Sequence, residues 1–107
     1  MIHAVRFEWD EAKNLSNQRK HGISFEEAVQ VFLDLFQVSS QDRIEGGERR
    51  WRTFGLTARF ALLVVAHTTT EYDRDGQQIE VIRIISARRA DRTERRHYEE
   101  KNGQLHP

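Results

Sequence analysis

The spacing of apolar residues changes along this chain, and each change marks an element. Val5 to Trp9 reads as a short strand feeding directly into a helix. Asp10 is placed to cap that helix and Glu11 suits the positive end of its dipole. The helix runs to about Lys20, and Gly22 terminates it. Ser24-Phe25-Glu26-Glu27 is a capping box, serine followed three residues later by glutamate. It opens a second helix, in which Phe25, Ala28, Val29 and Phe32 form a core-facing stripe.

From Leu35 onward the period switches to two. Phe36 to Ser40 is expected as a strand, Ile44 to Glu48 as a loop, and Trp51 to Leu56 as a half-buried strand. Thr57-Ala58-Arg59 makes a tight connection to Phe60–His67, a continuous apolar run with the pattern of a central strand. Asp73-Arg74-Asp75-Gly76 is a hairpin signal, and Ile79 to Ser86 pairs back to give at least a three-stranded antiparallel meander. A final helix is predicted over Ala90 to Lys101, with Tyr98 its one large apolar residue. A helix so polar is either solvated or made for a charged partner. The pattern is α+β, in the order β-α-α-β-β-β-β-α: two N-terminal helices on a mainly antiparallel sheet, then a basic helix.

Composition narrows this further. At 107 residues the chain, 1–107, is one domain, and it contains no cysteine for a disulfide or thiolate metal site. The longest apolar run, Phe60 to Ala66, is far short of the roughly 20 residues a membrane span needs. The N-terminal residues show no signal-peptide pattern, so a soluble cytoplasmic protein without membrane association is expected. No Gly-rich phosphate loop is present, which removes nucleotide hydrolases from consideration. The five histidines lack metal-ligand spacing, so neither metal nor cofactor is expected.

Charge changes the picture most. The chain is neutral overall, with 17 basic and 17 acidic residues. Between Arg83 and Tyr98, however, six arginines (83, 88, 89, 92, 95, 96) face only Asp91 and Glu94. Guanidinium forks suit bidentate phosphate contacts and can stabilise charge on a phosphoryl transition state. On a continuous helix Arg88, Arg92, Arg95 and Arg96 would share a face, which is either a phosphate surface or a solvated one. Arg83 interrupts an apolar strand, where a lone charge needs a site, a partner or a strand edge. Lys13, Asn17 and Lys20 share a face of the first helix. His21 follows them, either as a general acid or as a cation satisfying the last carbonyls. His67 ends the apolar strand, as a proton shuttle or a buried structural ring. Tyr98 could stack on a base or anchor its helix to the sheet.

These residues together resemble the BrnT-type toxins. Phe7-Glu8-Trp9-Asp10, Lys13, Asn17, Lys20-His21-Gly22, Phe25 with Glu26-Glu27-Ala28, and Phe32 match the family's opening signature. Gly47-Glu48, Arg50, Gly55, the run Arg83 to Ala90, Glu94-Arg95 and Tyr98 match its second half. Two departures are visible: Thr69 to Gln78 looks longer than the family's turn, and Asp34-Leu35 replaces a common Asp-Pro. The resemblance implies a RelE-like fold and a type II toxin–antitoxin toxin that arrests growth as a metal-independent endoribonuclease. It also implies a ribbon-helix-helix (BrnA-like) antitoxin and operator DNA bound through the toxin–antitoxin complex. On this reading Lys13, Lys20, His21, His67, Arg83, Arg88 and Arg89 are catalytic candidates, and Arg92, Arg95, Arg96 and Tyr98 are RNA-binding. The alternatives are a non-catalytic nucleic-acid-binding module that blocks translation or joins operator binding, and a structural protein whose arginine helix docks an acidic partner.

Overall fold

A computed structural model describes residues 3–103. In chain order the elements are β1 (His3–Glu8), α1 (Glu11–His21) and α2 (Phe25–Ala28), which continues as a 3-10 helix over Val29–Leu33. Then follow β2 (Val38–Glu45), β3 (Glu48–Leu56), β4 (Leu62–Arg74), β5 (Gln77–Arg89) and α3 (Arg92–Lys101). The strands form one sheet in the order β1-β5-β4-β3-β2. β1 runs parallel to β5, and every other pairing is antiparallel.

Local signals act where the sequence places them. The Asp10 carboxylate accepts from the Ala12 and Lys13 amides, and Gly22 closes α1 by donating to the Gln18 carbonyl. Ser24 accepts from the Glu27 amide to open α2. β4 is the central strand, and Asp75 and Gly76 turn its hairpin with φ of 52° and 80°, the left-handed pair that matches strand twist. The hairpin is long, with 13 residues in each strand.

Four expectations need correction. Phe60 is not in the strand: it sits in the β3–β4 connection with φ 63° and is 80% exposed. Ile44 to Glu48 is not a loop, because β2 and β3 pair around Gly46-Gly47 with a register shift between Gln41 and Ile44. The second helix keeps α geometry for one turn and then tightens. β5 runs past the expected end at Ser86 to take in Arg88 and Arg89, since β4 offers ladder partners as far as Leu63↔Arg89. That dissolves the expected face of Arg88 with Arg92, Arg95 and Arg96. The helix begins only after Asp91, whose side chain and that of Glu94 form a reciprocal capping box.

Directly opposed residues point to the same side of a sheet, so the register sorts the side chains. Leu63, Val65, Ile82, Ile84 and Ala87 meet Ile23, Phe25, Ala28 and Val31 in the main core. Gly55 lies here because a Cβ would stand 2.8 Å from both the Val31 side chain and its carbonyl. The other face holds a smaller cluster, Phe54, Leu62 and Val64, under Tyr98 of α3. α1 contributes no apolar side chain to either cluster. Instead Asn17, 6% exposed, donates to the carbonyls of Ile23 and Ala87 and accepts from the Ala87 amide. β1 pairs with β5 only as far as Arg83. Beyond that point the Asn17 amide occupies the strand edge in place of a neighbouring backbone.

Candidate functional site

On the α3 side of the sheet, alternation along the strands brings arginines together. Arg52 opposes Ala66, Arg88 opposes Val64, and Arg83 opposes Thr68, all on this face. Arg50, two residues from Arg52, shares the face, as does Arg6 beside Val81. Arg6 donates to the Tyr72 hydroxyl at 3.3 Å. Arg83 is exposed and makes no ion pair among the described residues, although Glu8 is its register neighbour on β1. The Nε atoms of Arg50 and Arg52 are buried and have no hydrogen-bond partner among the described residues. Asp42 and Glu45 stand 3.9 Å from Arg52 and 3.8 Å from Arg50, beyond hydrogen-bond length.

α3 forms one wall of this surface, fastened by two polar contacts. Arg88 makes a bidentate pair with Glu94 at 2.7 and 2.8 Å. This pair brings the Glu94 carboxyl down to about 2, helped by the Asp91 amide and the nearby Arg52 charge against a smaller opposing effect of burial. The Tyr98 hydroxyl donates to Asp34 at 2.6 Å. Burial would raise the Asp34 carboxyl, but bonds from Tyr98 and from the amides of Leu56 and Phe36 hold it below the usual range. Burial and the Asp34 bond together push the Tyr98 phenol above its ordinary value. Asp34 thus ties the end of the 3-10 helix to β3 and α3. Arg92, Arg95 and Arg96 project from α3 into solvent.

The opposite face carries a cavity of about 700 Å³ where the sheet extends past the helices. Phe7, Phe32, Trp51 and Ile82 wall it, and His67 lies among its lining residues, 4% exposed. The Thr68 carbonyl lies 3.2 Å from His67 Nδ1 and can only accept, so Nδ1 is assigned the proton. Nε2 then accepts from Thr53 at 2.7 Å, and Thr53 accepts from Ser39 at 2.7 Å. Phe32 packs edge-on against the ring. Burial draws the His67 pKa below its ordinary value, partly offset by the Thr68 bond.

Folding therefore favours the neutral ring, and the unfolded chain takes up the proton first. The contribution is complete above the unfolded value of about 6.5 and is lost as pH falls through it toward the lower folded value. The melting temperature is expected to decline between pH 7 and pH 5 more steeply for the protein than for His67→Gln. Equal slopes would rule out this coupling.

The sequence candidates are thus divided. Arg83 and Arg88 share the α3-side face, whereas Arg89 opposes Leu63 on the other side. His67 faces the cavity across the sheet. Lys13 and Lys20 are exposed on α1 and His21 ends that helix. None of these three bonds to His67 or to the arginines among the described residues. Arg6, Arg50 and Arg52 were not among the site candidates, Arg50 having been noted only for the family resemblance, although the alternation of Arg50 and Arg52 across Trp51 was visible.

A model of the family described as the ribonuclease toxin BrnT of type II toxin–antitoxin systems matches residues 9–94. The 1.1 Å crystal structure of the Brucella abortus ribonuclease toxin, BrnT, is similar to this fold with a TM-score of 0.51. Sequence identity is 19%, and the match covers 86% of this chain and 100% of that one. No curated protein matches the chain.

Proposed function

Since the chain belongs to the BrnT family of ribonuclease toxins of type II toxin–antitoxin systems, we propose that its arginine-bearing sheet face binds RNA and cleaves it internally without a metal. The observation behind this reading is the grouping of Arg52, Arg88 and the exposed Arg83 on one sheet face, where Arg83 makes no ion pair among the described residues. Guanidinium ends gathered on a cationic surface suit phosphate oxygens. Attack of a 2′-hydroxyl on the adjacent phosphate builds negative charge at phosphorus, which arginines at fixed positions stabilise. Arg52 and Arg83 do this most directly, and Arg88 helps while holding α3 through Glu94. Arg92, Arg95 and Arg96 track the flanking strand. Tyr98 positions α3, its hydroxyl being engaged with Asp34. Lys13, Lys20, His21, His67 and Arg89 have no place at this surface.

In the same reading the fold is RelE-like and the toxin acts in the cytoplasm to arrest growth. A ribbon-helix-helix antitoxin neutralises it, and operator DNA is bound through their complex. Incubating the purified protein with single-stranded RNA in EDTA tests the activity. Internal cleavage is expected. Intact RNA retained by the protein would instead favour a non-catalytic binding module.

A further inference from the structure

The arginine face lacks an evident proton donor for the oxygen that leaves phosphorus. A guanidinium stays protonated through the neutral range and does not deliver its proton. Glu94 is committed to Arg88, and the Tyr98 hydroxyl already donates to Asp34. Among the described histidines, His3 pairs with Glu80 at 3.5 Å, His21 ends α1, and His67 is buried on the other side. His97 differs. It is exposed on α3, and its ring meets Phe54 edge-on with centroids 5.9 Å apart. Phe54 shares its face with Arg52, two residues before it.

On the reading of this face as the RNA surface, we propose that His97 is the general acid of the cleavage reaction. The charged groups around it are Glu94, Glu100 and Lys101 one turn away on α3. Arg52 comes from β3, with Asp42 of β2 behind it, and Arg88 from β5. The 2′-oxygen forms a bond to phosphorus, losing its proton to solvent. The bond from phosphorus to the 5′-oxygen breaks, and that oxygen takes a proton from the His97 imidazolium. The products are a 2′,3′-cyclic phosphate and a 5′-hydroxyl, with no redox partner required. The arginines favour the anion left by deprotonating the 2′-hydroxyl, so activation of the nucleophile is assisted by charge alone. The leaving oxygen needs a proton, and among the described histidines His97 is the one that packs on Phe54, on the arginine side of the sheet.

The test is His97→Gln, assayed on an RNA oligonucleotide and on the same oligonucleotide with sulfur at the 5′-bridging position, a leaving group that needs no proton. Cleavage of the oxygen substrate should fall about 100- to 1000-fold, with RNA affinity and melting temperature unchanged. The sulfur substrate should be cut at nearly the rate of the unaltered protein. Full activity on the oxygen substrate, or no recovery on sulfur, would overturn the assignment. Arg83→Ala, run in parallel, separates the two levels: if it too leaves cleavage intact, the RNA surface itself is misplaced.

Discussion

Replacing Asn17 with leucine is expected to destabilise the fold by about 3–5 kcal/mol, the sum of three lost buried hydrogen bonds partly relieved by water. Leucine keeps the volume but leaves the Ala87 amide, the Ala87 carbonyl and the Ile23 carbonyl without their partner. Each orphaned buried group costs about 1–3 kcal/mol. α1 has few other attachments, because its remaining buried residue, Asn14, is also polar and accepts from the Phe25 amide. A urea titration measures the effect as a lower midpoint at unchanged slope. A loss below about 1 kcal/mol would mean that the edge of β5 is hydrated and that the helix is held by other contacts.

Arg83→Ala should do the reverse, leaving the fold intact and removing the activity. The side chain is exposed and unpaired among the described residues, so stability should change by no more than about 0.5 kcal/mol. Losing a cation aimed at developing phosphoryl charge costs roughly 100- to 1000-fold in rate. RNA cleavage should fall accordingly, and growth inhibition on expression should disappear. Full toxicity in a folded Arg83→Ala protein would remove this residue from the site. Arg88 is a poorer probe, since its loss also strands Glu94 and loosens α3.

Much of the fold was legible because its signals are local. The Asp10 cap, the Ser24 box, the Gly22 stop and the Asp75-Gly76 turn each involve neighbours in sequence. The end of β5 was not local. Arg88-Arg89 has no apolar period of its own and becomes strand because β4 supplies ladder partners at Leu63 and Val64. The Asp91–Glu94 box that fixes the true helix start was present but overlooked. Asn17 was grouped with Lys13 and Lys20 on one helix face, and only the tertiary fold turns it against a strand edge while both lysines stay exposed. The site was half legible. The concentration of arginines near residue 83 was visible in the sequence, but which of them share a face depends on strand parity. Arg50 and Arg52 join them only through the register of β3 with β4.

The position of β5 bears on when the arginine face can form. β5 is the last strand in the chain yet lies between β1 and β4, and His3 finds its partner only at Gln78. A nascent chain that has emerged no further than Gly76 has β1 with no neighbour in the sheet. Arg52 is then present in the segment from β2 to β4, but Arg83, Arg88 and α3 have yet to be made. Because domains acquire long-range pairings only after the distal segment appears, the face that holds Arg52, Arg83 and Arg88 forms only once β5 has emerged.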